Sequence, residues 1–354
     1  MKKYILLLLS VVLFVAEVRA QGASYPNFHN ATQLVEFTTT KAGGQDFSFT
    51  LAPDETTGRP QFPVVFIDWN GNGNRTMINL DREETFVVKV PSNKVVKITG
   101  ENGLWTVKAV DQSVTKATTN TASILQHLYL DKNLLGQPGN GGSDFKTNRE
   151  LKTLSVSSNY YKTLEVKENK NLETINASSN LLENIDLTGL SHLVDLDLSK
   201  NLFVGPLSLP QNHYKNIDLR VNKFKISTLP DLPNGTPASA YHYDLQERYE
   251  LPKHELLVGK DWIDLSTELY AKGVTSSQKT TKYTWYVEDD AATDSYTRLR
   301  ENVDYEVSNG KTRFLRNVRG NLFVAMSTEA FPDFDSFERT PGAFTVSGED
   351  LIKT

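Results

Sequence analysis

The chain has 354 residues, with 38 basic and 43 acidic side chains, a formal net charge of −5 and no cysteine. Both signs of charge are interspersed without a long basic run, which excludes a nucleic-acid-binding surface. The lack of cysteine excludes a thiol nucleophile, a disulfide framework and a lipid-modified cysteine.

Met1–Ala20 (MKKYILLLLSVVLFVAEVRA) carries two lysines, an apolar core and small residues near its end, the pattern of an export signal cleaved before Gln21. No later stretch approaches the length needed to span a bilayer, so the protein is expected to be exported, secreted or on the outer surface, and not membrane-spanning. An exported chain without disulfides fits a bacterial protein with large, self-sufficient cores.

Residues 21–94 alternate apolar and polar side chains over Leu34–Thr40, Asp46–Leu51, Val64–Trp69, Thr76–Leu80 and Thr85–Val90, with turn residues between. This predicts a small β-sandwich that also caps the amino end of a larger repeat region, with Val95–Thr99 leading into that region. Within the sandwich, Asp68–Gly73 (DWNGNG) matches the start of a calcium loop, which would place oxygen ligands on Asp68, Asn70 and Asn72. The twelfth position is Asn79 instead of a bidentate glutamate, with Asp81 as the nearest substitute. Asn-Gly pairs also make hairpin turns, so a hairpin is the first expectation and calcium the second. No other cofactor is expected.

Residues 95–240 repeat. Asn133, Asn159, Asn180, Asn201 and Asn222 follow one another at steps of 26, 21, 21 and 21 residues. Eight, five and three residues before each, the side chains are nearly always apolar, as in Leu151–Asn159 (LKTLSVSSN) and Leu193–Asn201 (LVDLDLSKN). Gln112 closes a first copy 21 residues before Asn133, and an apolar column lies two residues beyond each anchor, from Val114 to Phe224. This is the spacing of a leucine-rich repeat of about six short coils. Stacked coils bury leucines that a single coil cannot, and each anchor amide satisfies backbone groups left unpaired by the bend. The 26-residue step holds Gln137–Asp144 (QPGNGGSD), a surface insertion.

Alternation along each short strand sends the residues between the leucines to a concave outer face. Its candidate binding residues are Tyr129, Thr153, Ser155, Thr174, Asn176, Asp195, Asp197, Asn216, Asp218 and Arg220, with His127 beside them. The face is polar, with an acidic patch at Asp195, Asp197 and Asp218, and suits a peptide or glycan partner.

The repeat ends at the Pro/Gly-rich Pro230–Ser239, and Tyr241–Glu250 (YHYDLQERYE) reads as a charged boundary segment. Residues 241–354 offer strands at Tyr283–Glu288, Tyr305–Ser308, Thr312–Leu315, Leu322–Ser327 and Ala343–Val346. Together with Trp285 they predict an immunoglobulin-like β-sandwich. The fold class is therefore mainly β: a leucine-rich repeat solenoid between two β-sandwiches. The six histidines show no metal-ligand spacing, and the chain has no nucleophile elbow or phosphate loop, so no catalytic residue is assigned.

On the TTTKAGGQ…VVFIDWNGNG segment, the 21-residue coils and the YTWY…FPDF…TPGAFTV tail, the chain resembles the internalin-like leucine-rich repeat surface proteins of the Bacteroidetes, including the Porphyromonas internalin-J type. The resemblance covers essentially all of the chain after Ala20. It implies an exported, surface-associated, non-enzymatic protein of adhesion or biofilm formation, whose partner is a protein or glycan on a host or bacterial surface. Many such proteins carry a further sorting domain, which the residues up to Thr354 do not include, so export is expected and anchoring stays open. Two rival readings are a self-associating surface-layer component and a secreted hydrolase whose repeats target it.

Overall fold

The computed structural model describes residues 32–53, 64–100, 104–140, 143–247, 249–250, 256–290, 295–334, 345–348 and 352–353. The segment expected to be an export signal, Gly141–Gly142 of the insertion and Ala343–Phe344 of the last predicted strand lie outside them. Among the described residues there is no α-helix, and no helix is long and apolar enough to cross a membrane.

The alternating segments form β1 (Thr32–Thr39), β2 (Asp46–Pro53), β3 (Val64–Ile67), β4 (Thr76–Asn79), β5 (Glu84–Lys89) and β6 (Val95–Gly100), close to the expected bounds. Then come β7 (Leu104–Lys108) and β8 (Val114–Thr118), followed by one short strand per coil. These are β9 (His127–Tyr129), β10 (Thr153–Ser155), β11 (Thr174–Asn176), β12 (Asp195–Asp197), β13 (Asn216–Asp218) and β14 (Tyr241–His242).

One sheet runs β4–β3–β6–β1–β8, and a nine-stranded sheet runs β14–β13–β12–β11–β10–β9–β7–β2–β5. The amino-terminal strands are thus divided. β2 and β5 extend the solenoid's own sheet, while the five-stranded sheet contributes Phe37, whose ring lies 5.5 Å from Phe47 of β2. Phe47, Phe49 and Phe86 continue this buried aromatic row, each such side chain contributing roughly 1.5–3 kcal/mol by leaving water. The boundary expected between residues 94 and 95 is corrected by this pairing. Val95–Thr99 does not lead into a coil; β6 pairs antiparallel with β1 and β3 because Val96 and Ile98 face the core.

From β9 to β13 neighbouring strands pair in parallel without a slip: Thr153 lies opposite Thr174, Thr174 opposite Asp195 and Asp195 opposite Asn216. The apolar residues five and three before each anchor and the column two residues after it are buried, and Phe203 and Phe224 stack at 5.7 Å with an interplanar angle of 9°. A shift of one residue would turn each leucine outward, so burial fixes the register.

The anchor amides tie coil to coil. Asn180 Nδ2 donates to the carbonyls of Val156 in the preceding coil (3.0 Å) and of Ala177 in its own (3.1 Å), while Oδ1 accepts the Tyr161 N–H at 3.0 Å. Asn133, Asn159, Asn201 and Asn222 repeat this pattern, and all five are buried. The residue before each anchor is left-handed, at φ near 55° from Lys132 to Val221. The turn sequence missed by pattern reading is the next one. Gln246 Nε2 donates to Leu219 and Tyr243, and Oε1 accepts the Phe224 N–H at 3.0 Å. Tyr241–Glu250 is therefore not a charged boundary: it opens with another coil, 24 residues after Asn222.

A second amide ladder closes the opposite edge of the coils. Asn169 Nδ2 donates to Phe145 and Asn148 carbonyls, and Asn148 Nδ2 to those of Thr119 and Ala122. Asn212 does the same for Leu190 and Leu193.

Beyond the repeat, a sheet containing Lys282–Asp290 and Leu322–Ser327 faces the smaller sheet of Ile263–Asp264, Tyr305–Ser308 and Lys311–Phe314. Trp285 is buried between them, its Nε1 donating to Thr312 Oγ1 at 3.1 Å and its ring edge-on to Phe314 at 5.1 Å. The last coil is clamped to this region by the buried Glu268, whose carboxylate accepts the Ser227 N–H (2.8 Å) and hydroxyl (2.7 Å). Tyr243 adds an edge contact with Phe331 at 5.2 Å.

Candidate binding face

The nine-stranded sheet presents its outward side chains as aligned rows, because parallel in-register strands place equivalent residues opposite one another about 4.8 Å apart. The sequence-predicted residues all lie on or beside this face. Tyr129, Thr153, Thr174, Asn176, Asp195, Asp197 and Asn216 are half-buried and Arg220 is exposed. Ser155 and Asp218 are corrections to the expected exposed columns: both are buried, at 7% exposure. Neighbouring side chains cover them.

Those neighbours form hydrogen bonds that decide which groups remain for a partner. Asp131 Oδ1 accepts the hydroxyls of Ser155 (2.6 Å) and Ser157 (2.7 Å). Asn176 and Asp197 each hold the N–H and hydroxyl of the serine two residues on, capping the strand's exit. Asp218 and Arg220 form a two-pronged ion pair, with Nε at 3.0 Å and Nη2 at 2.5 Å, and that bond is the first cause of the raised Arg220 pKa. Asn216 Nδ2 donates to Asp195 at 3.1 Å. The acidic patch is thus partly consumed by the fold: Asp197 and Asp218 stabilise turns, and Asp195 is the carboxylate least committed to them.

At the other end of the face, Lys108 of β7 lies 5.5 Å over the Tyr129 ring and pairs with Glu83 at 2.9 Å. His127 Nδ1 meets Thr153 Oγ1 at 3.0 Å; burial, then the charge of Lys152, lowers its pKa. Thr106 and Lys108, and His242 and Asp244, extend the same rows and were not among the expected residues. The alternation of Tyr241 and Tyr243 followed three residues later by Gln246 was the signal for the second pair.

Asp68 lies in the loop joining β3 to β4. Its Oδ1 accepts the Asn70 and Asn72 N–H groups, both at 3.2 Å, and Oδ2 accepts that of Gly73 at 2.8 Å. Asn72 Oδ1 takes the Asn74 N–H, and Asn79 is held in β4 opposite Val64. Both carboxylate oxygens are engaged by the turn itself, in a hairpin. Gly71 at φ 64° packs against Lys89–Pro91, where a Cβ would meet the Lys89 carbonyl at 2.8 Å.

No protein-family model and no curated protein matches the chain. Among solved structures it is similar to InlP of Listeria monocytogenes, at 20% identity and a TM-score of 0.40 over 65% of this chain and 61% of that one. It is also similar to the functional domain of InlJ from Listeria monocytogenes, which includes a cysteine ladder, at 14% identity and a TM-score of 0.32 over 66% and 54%. The chain therefore spans less than two thirds of either relative. The assignment of a leucine-rich repeat solenoid rests on the strand register and the amide ladders.

Proposed function

We propose that this is an exported, non-enzymatic leucine-rich repeat protein that binds a protein or glycan on a host or bacterial surface through its concave face, in adhesion or biofilm formation. In this reading the amino-terminal sheets are a capping β-sandwich and the carboxy-terminal pair an immunoglobulin-like one, as in the internalin-like surface proteins of the Bacteroidetes. No cofactor takes part. The observation that supports it is the unslipped register from β9 to β13, which holds the outward rows of several coils in one rigid surface. Because those side chains are ordered before a partner arrives, little entropy is lost on binding.

The test is an array of glycans and peptides probed with the full chain and with Thr153→Arg/Thr174→Arg, which fills the middle of the face. Partners bound by the native chain should be lost by the variant, with the circular-dichroism spectrum of the folded chain retained. Equal binding by both would remove the concave face from the account.

A further inference from the structure

Beside the concave face, the turn after each anchor is tied by a backbone hydrogen bond to the same column of the coil before. The N–H groups of Leu134, Tyr160, Leu181 and Leu202 donate to the carbonyls of Val114, Leu135, Tyr161 and Leu182. The next residue in each turn is buried in the core, so the first points outward. The result is a file of four apolar side chains along one rim, ended by Lys223, whose N–H makes the same bond to the Phe203 carbonyl. Tyr160 is 39% exposed, Leu134, Leu181 and Leu202 are half-buried, and Val204 adds 47% exposure at one end.

Solvated rims are ordinarily polar, and four consecutive apolar residues in one outward column are not needed for the core. Of the flanking columns, one position before and three after each anchor, half the places from Lys132 to Val204 are charged, the others being Gly136, Ser158, Ser179 and Val204. Lys132, Lys162 and Lys200 are exposed and form no ion pair among the described residues, whereas Glu183 is the one acid in those columns between Asn133 and Asn201. The stripe is therefore apolar along its crest, with three lysines and one glutamate spaced beside it.

Spacing selects the occupant. Coils repeat every ~4.8 Å, and an α-helix advances 5.4 Å per turn. Over the three steps from Leu134 to Leu202 a helix laid along the rim drifts by only ~1.8 Å. An extended peptide repeats one face every ~6.7 Å and drifts by ~6 Å, so it cannot match the column. A lipid surface needs a broad apolar face, and this one is a single side chain wide. We propose that this rim is a docking site for an acidic amphipathic helix of about four turns, which sets one apolar residue per turn on the file and its carboxylates against the lysines. It is separate from the concave-face reading.

The probe is a synthetic helical peptide with one leucine per turn and flanking glutamates, compared with a lysine-flanked counterpart by fluorescence anisotropy on the full chain. Vesicles of phosphatidylcholine and phosphatidylglycerol form a third arm. The glutamate peptide should bind saturably and at least about tenfold more tightly than its lysine counterpart. Lys132→Glu/Lys200→Glu, at exposed positions, should reverse that preference, and Leu181→Asp should remove binding of both. Thr153→Arg/Thr174→Arg should change neither, so this site and the concave face stand or fall separately. No saturable binding of the glutamate peptide, equal binding of the two peptides, or a preference unmoved by the charge reversal would overturn the proposal. So would vesicle binding, lost in Leu181→Asp, without peptide binding.

Discussion

Replacing Asn180 by alanine isolates one rung of the amide ladder. The carbonyls of Val156 and Ala177 each accept from two anchors, Asn159 and Asn180 for the first, Asn180 and Asn201 for the second, so each keeps one partner. The Tyr161 N–H has no such reserve, because Asn180 Oδ1 is its one acceptor among the described residues. A buried N–H left without a partner costs about 1–3 kcal/mol. With part of two shared bonds, the loss should be about 2–3 kcal/mol, or a fall of roughly 3–4 °C in the thermal midpoint of a chain this long. Asn133→Ala should cost more, because Asn133 Oδ1 accepts both the Gln112 and Val114 N–H groups. Asn180→Asp keeps the acceptor but brings a charge against the buried carbonyls, which raises its folded pKa. The folded state then binds the proton more tightly than the unfolded one, so this variant's stability should fall as pH rises past the ordinary carboxylate value of about 3.9. Urea denaturation followed by circular dichroism reads all three. An unchanged midpoint in Asn180→Ala, or an aspartate variant as stable at pH 7 as at pH 4, would refute the ladder argument.

Three more outcomes rest on named residues. Val221 is β-branched at φ 56°, so Val221→Asn should raise stability by about 1 kcal/mol, and a lowered denaturation midpoint would contradict the strain. Gln246→Ala should cost about as much as Asn180→Ala, since Oε1 accepts the Phe224 N–H; loss of less than a few tenths of a kcal/mol would show that this coil is not closed by its amide. The Arg316 guanidinium at 2.5 Å, then the Arg300 N–H, hold the Asp304 carboxyl below its ordinary range. Its contribution is present above the unfolded pKa and lost as pH falls through the folded one, so Asp304→Asn should flatten the acid limb of a stability–pH curve.

The repeat was legible because its columns come from packing: leucines at fixed steps and amides at bends have no substitute chemistry in a short coil. The anchor at Gln246 was hidden by its longer side chain and its 24-residue step, and tyrosines stand where leucines had stood. The second ladder was equally present, since Asn148 and Asn169 lie 21 residues apart and three before the first leucine of their coils, but two asparagines are a thin column. Sheet membership could not be read at all. Alternation in Asp46–Leu51 says that a face is buried, and only the pairing of β2 with β7 shows that it extends the solenoid's sheet. On the candidate face, composition located the acids while the serine two residues after Asp197, and Arg220 two after Asp218, decided how much of each carboxylate is left.

Register across the coils is tested most directly with cysteine pairs, since the chain has none of its own. Thr153→Cys/Thr174→Cys places thiols opposite each other on adjacent parallel strands, about 4.8 Å apart and within disulfide reach. Thr153→Cys/Asp195→Cys spans two strands, about 9.6 Å, and is too far. Mild oxidation should cross-link the first pair and leave the second as free thiols. The reverse, or equal cross-linking of both, would contradict the aligned rows on which the binding face depends.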